Sequence, residues 1–260
     1  MKQIKLLFLL ASASVTGAFA QSNGLTDMSQ SRYAKMANTG IDAVHWTNGF
    51  WGERFNVFSG TSLQSMWNTW NTPEVSHGFR NFEIAAGVCK GEHWGPPFHD
   101  GDMYKWMEGV ASVYAVNKDP ELDKLMDNFI ACVVKAQRAD GYIHTPVVIE
   151  ELNKGIDSHT LADSQQQTVI GTKVGSEDEK GAFANRLNFE TYNLGHLMMA
   201  GIVHHRATGK TTLLDAAVKA TDFLCHFYET ASAELARNAI CPSHYMGCLL
   251  YTSPSPRDKR

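Results

Sequence analysis

The chain has 260 residues, of which 43% are hydrophobic, 10% aromatic and 19% charged, and its formal net charge is −4. This composition excludes a disordered, collagen-like or coiled-coil protein and predicts a sizeable hydrophobic core. The body of the chain carries no cluster of Lys and Arg that could follow a phosphate backbone. We therefore expect no nucleic-acid partner.

Residues 1–20 have the pattern of a secretory signal peptide. A basic head precedes the apolar run Leu6 to Leu10, and Ala18-Phe19-Ala20 supplies an A-x-A cleavage site. The apolar run is too short to span a membrane, and no later segment reaches eighteen consecutive apolar residues. The sequence predicts a periplasmic or secreted protein with no membrane partner after cleavage. Residues 21–40 form an irregular segment, and no sustained period is found over 21–58.

The last thirteen residues, 248–260, differ in character from the rest of the chain. Their closing run, rich in Ser and Pro, resembles translated adapter sequence at the broken end of a reading frame. The alternative is a genuine flexible Ser/Pro tail. We expect a non-native tail and, with it, a chain that is the N-terminal part of a longer protein.

Apolar residues at helical spacing predict a first helical hairpin. From Asp102 to Asn117 they recur every three or four residues, which indicates a helix with one buried face. Asp119 then offers an N-cap and Pro120 a first-turn residue, and a second apolar stripe follows until Asp140-Gly141. The very short connection is typical of an αα-hairpin.

A second hairpin follows the same plan. Its first helix carries apolar residues from Leu194 to His205, a turn follows at 208–210, and a second stripe runs from Leu214 to Tyr228. Repeated antiparallel helix pairs indicate an α-solenoid or a closed α/α toroid. The polar stretch 150–185 between the hairpins is expected to be a surface loop, in which Thr168-Val169-Ile170 could form a short strand. The fold class is thus mostly α, with repeated αα-hairpins.

Titratable and aromatic residues concentrate in the loop 91–102, just before the first hairpin. This stretch holds two histidines, three carboxylates and a Trp, a combination that suits sugar hydroxyls and the apolar face of a sugar ring. His99, Asp100 and Asp102 are the candidate binding residues. The alternative is that Asp100 or Asp102 is an N-cap and the histidines are ordinary surface residues.

A second polar group opens the second hairpin at 188–196. On a helix, Tyr192 and His196 share a face, and Gly195 permits the close approach of a neighbour. Glu190 and Tyr192 diverge in angle on the helix, and a polar helix start aimed at a central cavity makes both of them candidate binding residues. A buried Tyr–His hydrogen bond that serves only packing is the alternative.

Cysteine and histidine spacing gives no metal site within the chain. His93, His99 and Asp100 fit no zinc signature, and the pair Cys241 and His244 is too sparse. The five cysteines form no disulfide framework, so Cys89, Cys132 and Cys225 are expected to be free buried thiols. We expect no metal ligands here.

Three parts of the chain resemble a known family: His99 to Trp106, Lys135 to Pro146, and Glu190-Thr191-Tyr192 with Gly195-His196. Together they look like the N-terminal part of the β-L-arabinofuranosidase superfamily, glycoside hydrolase family 127 and its relatives. The resemblance covers 41–247 and implies the N-terminal part of an (α/α)6 catalytic domain, here an incomplete toroid. It also implies retaining removal of terminal β-L-arabinofuranose from arabinose-containing glycans.

The resemblance further implies an unusual nucleophile and a set of sugar contacts. Members of the family use a cysteine thiolate held on zinc by further cysteines and a glutamate, all from the later half of the toroid. No cysteine of this chain matches that cluster, so no catalytic residue is expected here and the chain itself is expected to be inactive. His244 corresponds to a sugar-contacting histidine, and Glu190 and Tyr192 lie at the polar helix start. Phe189 replaces the other such histidine, which bears on the choice of sugar.

Two other classes of function remain open from the sequence. One is another carbohydrate enzyme with an α/α toroid, such as an unsaturated uronyl hydrolase or a lyase. The other is a non-catalytic helical-repeat protein that binds its ligand on a concave surface.

Overall fold

The computed structural model describes residues 24–26, 31–33, 35–36, 38–155, 183, 185–238 and 241–252. Helices and the turns between them make up the regular structure of these residues, and no strand occurs among them. The α-helices, in chain order, are α1 (Gly49–Val57), α2 (Leu63–Trp70), α3 (Gly78–Ala85), α4 (His99–Asn117), α5 (Pro120–Ala136), α6 (Thr145–Asn153), α7 (Glu190–Thr208), α8 (Thr212–Thr230), α9 (Ala233–Asn238) and α10 (His244–Thr252). The mostly α fold class is confirmed.

The first hairpin is formed by α4 and α5, and its connection is short for local reasons. Lys118 ends α4 in the left-handed conformation (φ 54°). The Asp119 carboxylate then accepts a hydrogen bond from the backbone N–H of Glu121, and Pro120 occupies the first turn of α5. The predicted cap and proline are confirmed, and they leave only two residues between the helices.

The second hairpin, α7 and α8, repeats this arrangement. Gly209, in the left-handed conformation (φ 77°), ends α7 and lets the chain reverse before Thr212. A Cβ on Gly201 would lie 2.9 Å from Ala217 Cβ, so this glycine allows the two helices to pack closely. The predicted second hairpin is therefore confirmed.

The helices form two layers around one core. In one layer α4, α7 and α10 are neighbours, while α5 packs on α8 in the other. Helices α1 and α2 are joined without a break through the π-helical segment Phe58–Ser62, and the Trp106 indole of α4 donates to the Leu63 carbonyl at 3.3 Å. The alternation of layers along the chain is that of an α/α toroid.

Several sequence predictions need correction. Helix α4 begins at His99, three residues before Asp102, and its N-cap is Phe98, which has no capping side chain. Neither Asp100 nor Asp102 is a cap, so that alternative is wrong. Helix α1 lies within 21–58, a range in which the sequence shows no sustained hydrophobic period. The reason is that α1 buries only Gly52 and so lacks an apolar stripe. Of the three cysteines expected to be buried, only Cys132 is; Cys89 is half-buried and Cys225 is exposed.

Some predictions concern residues outside the described ranges. The signal peptide at 1–20 and the possible strand at Thr168 to Ile170 are among them, as are residues 253–260 of the predicted tail. Residues 248–252 belong to α10. Over the described part of the chain, no helix is both long and apolar enough to cross a membrane.

Candidate functional site

Helices α4, α7 and α10 run parallel, so their N-termini meet at one end of the layer. Near this end, a Cβ on Gly101 would lie 2.6 Å from Tyr192 Cε1. At the other end, the Lys118 ammonium donates to the Ala207 carbonyl at 3.0 Å. All six residues predicted for the site lie in the first turns of these helices: His99, Asp100, Asp102, Glu190, Tyr192 and His244.

Helix α10 reaches this end because Gly195 has no side chain. A Cβ on Gly195 would fall inside contact distance of the backbone of Ser243 and His244. The expected close neighbour of Gly195 is therefore the start of α10. Its position places His244 beside the first turns of α7.

Asp100 is a buried anchor rather than an exposed binding group. Its carboxylate accepts hydrogen bonds from the Thr145 backbone N–H at 2.7 Å and from the Thr145 hydroxyl at 2.6 Å. Its Oδ2 also lies 3.5 Å from Nδ1 of His144. The carboxylate therefore ties the start of α6 to the first turn of α4, because a buried charge needs such partners.

Glu190 is the second buried carboxylate at this end. It accepts hydrogen bonds from the Tyr142 hydroxyl at 2.6 Å and from the Phe183 backbone N–H at 2.7 Å. Burial raises the pKa of Glu190, although these hydrogen bonds and nearby His144 oppose the shift. Burial also raises the pKa of Tyr142 well above its usual value, so its hydroxyl remains a donor.

Asn193 and His144 extend the polar network around Asp100, and sequence reasoning missed both residues. The Asn193 side chain accepts from the Gly101 N–H at 2.9 Å and donates to the Pro97 carbonyl at 2.9 Å. Its Nδ2 lies 3.4 Å from His144 Nδ1. His144 is fully buried, and its Nε2 has no hydrogen-bond partner. His144 lies within a segment that carries the family resemblance, and Asn193 lies within the polar stretch 188–196; these were the available signals.

Tyr192 stands at the more open part of the site. The Lys105 ammonium donates to the Tyr192 hydroxyl and forms an ion pair with Asp102 at 2.8 Å. Burial lowers the pKa of Lys105, but the hydrogen bonds to Asp102 and Tyr192 outweigh it and the net shift is upward. Asp102 therefore acts through Lys105 to hold the hydroxyl of Tyr192.

The predicted face shared by Tyr192 and His196 is confirmed. Their rings meet edge to face with centroids 4.6 Å apart, so the contact is one between rings. His196 Nδ1 lies 3.6 Å from the Glu108 carboxylate, beyond hydrogen-bond distance. The buried Tyr–His hydrogen bond considered from the sequence is therefore replaced by a ring contact.

His99 and His244 are imidazoles whose pKa values burial lowers, so both are neutral at pH 7. His244 is 6% exposed and lies between Tyr228 and Tyr245, with ring centroids 5.5 and 4.4 Å away. Its Nδ1 has no hydrogen-bond partner. A neutral imidazole can both donate to and accept from a hydroxyl group.

The Phe189 ring contacts both the residue before α4 and the first turn of α7. It adopts a left-handed conformation (φ 57°) just before α7. Its ring meets Phe98 at a centroid distance of 5.5 Å and Tyr192 at 6.2 Å. Where the family resemblance implies a histidine, this chain therefore has part of an aromatic wall.

Within the described ranges, no three His, Cys, Asp or Glu side chains lie close enough together to hold a metal ion. Cys241 is exposed on a backbone with φ 52°. These residues do not fit the cluster of zinc-bound cysteines that the resemblance implies.

Comparison with known proteins gives the same picture as the fold. The model of the β-L-arabinofuranosidase GH127 catalytic domain matches residues 43–252. A non-reducing end β-L-arabinofuranosidase of Bifidobacterium longum subsp. longum is 32% identical over 149 residues, which are 57% of this chain and 19% of that protein. The chain thus spans about a fifth of that relative's length.

Solved structures of glycoside hydrolases share this arrangement of helices. One glycoside hydrolase is 69% identical and superposes with a TM-score of 0.57, covering 88% of this chain and 26% of its own. A GH127 β-L-arabinofuranosidase from Geobacillus stearothermophilus T6 is 31% identical with a TM-score of 0.55, covering 70% and 25%. These matches confirm an α/α toroid architecture, and the chain belongs to the GH127 β-L-arabinofuranosidase catalytic-domain family.

Proposed function

We propose that this chain is part of an exported glycoside hydrolase that removes terminal β-L-arabinofuranose from glycans by a retaining mechanism. Family membership supports the class of reaction, and the Bifidobacterium relative supports the sugar. The observation that carries the proposal is the convergence of three helix N-termini, which gathers the six candidate residues at one end of the layer. The apolar run and A-x-A site at 1–20 support export.

The residues of this site are proposed to bind the sugar in two different ways. Tyr192 and His244 contact the arabinofuranose, because each presents a polar group on an aromatic ring at the helix ends. His99 contributes a third neutral imidazole. The buried Asp100 and Glu190 position the chain around the sugar, while Asp102 fixes Lys105.

The nucleophile is proposed to come from residues that this chain does not contain. In the family it is a cysteine thiolate, which zinc would hold in the reactive deprotonated form. The described residues offer no such cluster, so the role of this chain is to bind and orient the terminal sugar. A chain that binds without the nucleophile should bind arabinofuranosides and leave them intact.

Hydrolysis of aryl β-L-arabinofuranosides tests the proposal. The 260-residue chain and the complete 69%-identical glycoside hydrolase are assayed side by side, with and without a zinc chelator. We expect release of the aryl group by the complete enzyme only, and loss of that release with chelator. Release by the chain alone that survives chelation would overturn the proposal.

The same assay separates the two other classes of function. Cleavage of unsaturated uronyl substrates by the complete enzyme would identify an uronyl hydrolase, and formation of unsaturated ends on uronic-acid glycans would identify a lyase. Binding of glycans with no turnover of any substrate by the complete enzyme would identify a helical-repeat binding protein. Either result would contradict the proposed activity.

A further inference from the structure

A group of imidazole and indole rings lies at the start of α4, where the end of α2 and the loop before α4 come together. The histidine pocket is defined here as His77, His93, His99, Trp70 and Trp94. The His77 and Trp94 rings meet edge to face at 4.9 Å, and those of Trp70 and His99 do so at 5.7 Å. The three imidazoles are half-buried, and Trp94 is 49% exposed at the rim.

Trp94 is held in place through its backbone groups, which bond to the side chain of Asn81. The buried Asn81 amide donates to the Trp94 carbonyl at 3.0 Å and accepts from the Trp94 N–H at 3.3 Å. These paired hydrogen bonds hold the loop against α3. An exposed indole held in place in this way is suited to stacking on the apolar face of a sugar ring.

Four polar ring atoms of the histidine pocket have no hydrogen-bond partner and no exposure to solvent. They are His77 Nδ1, His93 Nε2, His99 Nδ1 and Trp70 Nε1. Buried polar groups are nearly always paired, and leaving one unpaired is costly. So many unpaired atoms in one place indicate that a ligand supplies their partners.

The chemistry of the pocket favours a neutral ligand that carries hydroxyl groups. Burial lowers the pKa of His93 to about 4, and nearby His144, His99 and His77 add to the shift, whereas Asp100 opposes it. The imidazole is therefore uncharged at neutral pH and offers one donor and one acceptor. Among the neighbouring side chains, the Asp100 carboxylate has the largest electrostatic effect on His93, and it would repel an acidic ligand. The described residues form no metal-binding group here.

A row of aromatic rings connects the histidine pocket with Tyr192. The ring of His99 lies 6.2 Å from that of Phe98, which lies 5.5 Å from Phe189. Phe189 in turn lies 6.2 Å from Tyr192. The pocket is thus linked through ring contacts to Tyr192, one of the residues proposed for the terminal sugar.

We propose that the histidine pocket binds the sugar unit to which the terminal arabinofuranose is attached, with Trp94 stacking on that unit and the imidazoles of His77 and His93 bonding its hydroxyls. This inference rests on the proposed function. It assigns to the chain a subsite for the leaving sugar in addition to the one for the terminal sugar.

Calorimetric titration of the 260-residue chain tests the inference with two probes. The probes are methyl β-L-arabinofuranoside and a neutral arabinofuranosyl disaccharide. We expect the disaccharide to bind more tightly, and His77→Phe or His93→Phe to weaken its binding about tenfold while leaving the monosaccharide unaffected, because each variant removes one hydrogen bond. His77→Gln, which keeps a donor and an acceptor, should retain part of the affinity.

The control is His226→Phe, which makes the same change at an exposed position of α8 and should alter neither affinity. Circular dichroism confirms that each variant is folded. Equal affinity for the two probes, or a disaccharide preference that survives both Phe variants, would overturn the inference and leave the proposed function intact. Absence of binding of either probe by the parent chain would overturn both.

Discussion

Gly101→Ala tests the close packing that brings the N-termini of α4 and α7 together. The new Cβ would lie 2.6 Å from Tyr192 Cε1 and 2.8 Å from Asn193 Oδ1. Since ordinary contact begins at 3.4 Å, the tyrosine ring must retreat by 0.8 Å. The Asn193 carbonyl must also leave its 2.9 Å hydrogen bond with the residue 101 N–H.

The expected change in the free energy of unfolding combines two destabilising effects and one stabilising effect. Overpacking costs about 1–3 kcal/mol, and the lost hydrogen bond costs about 1 kcal/mol. Replacing a helical glycine by alanine returns about 1 kcal/mol. We expect the free energy of unfolding to fall by about 2 kcal/mol, which corresponds to a decrease in Tm of about 4–8 °C for a domain of this size.

Urea and thermal unfolding of the 260-residue chain measure this change. Gly60→Ala is the matched control, because Gly60 is a helical glycine with no atom within 4 Å of the added Cβ. The control should be as stable as the parent or more stable, by up to about 1 kcal/mol. If Gly101→Ala is as stable as Gly60→Ala, the close contact between α4 and α7 is refuted.

Three further substitutions test buried polar groups. His204→Leu should stabilise the chain by about 1–2 kcal/mol at pH 7, because both ring nitrogens of His204 are buried without partners. Burial lowers the folded-state pKa of His204 to about 4, so between pH 6.5 and 4 the unfolded chain takes up a proton that the folded chain does not, and the free energy of unfolding falls with pH. The variant should lose less stability over that range in unfolding titrations. Asp100→Asn should lower the free energy of unfolding by about 2–3 kcal/mol in urea, because one of the two hydrogen bonds from Thr145 is lost. An unchanged urea midpoint would contradict the role of Asp100 as an anchor. Tyr142→Phe should lower the free energy of unfolding by about 1–3 kcal/mol in the same assay, since Glu190 loses a hydrogen-bond donor. This loss should shrink at low pH, because the Glu190 carboxylate becomes neutral.

The hairpins could be predicted because their causes are local. Apolar spacing fixes the buried faces of α4, α5, α7 and α8, and the Asp119 cap and Pro120 act on the residues directly beside them. The start of α4 was placed too late because Phe98 provides no capping side chain for a sequence pattern to reveal. Helix α1 has no apolar stripe, so periodicity could not indicate it.

The candidate site was predictable in position but less so in detail. The loop 91–102 and the start of α7 were found because polar and aromatic residues cluster there, and the shared face of Tyr192 and His196 follows from their spacing. The pairing of Asp100 with Thr145 joins residues 45 positions apart. Such tertiary contacts depend on how the layers pack rather than on any local pattern. The same is true of the complete burial of His144.

Histidine side-chain NMR of the 260-residue chain, titrated with methyl β-L-arabinofuranoside, tests the central claim most directly. If this chain supplies the sugar-binding part of a β-L-arabinofuranosidase site, the ring nitrogens of His244 should shift in a saturable manner. Those of the exposed His226 should not shift. The sugar should remain intact throughout. Unchanged His244 signals at saturating sugar, or release of arabinose by the chain alone, would contradict the account.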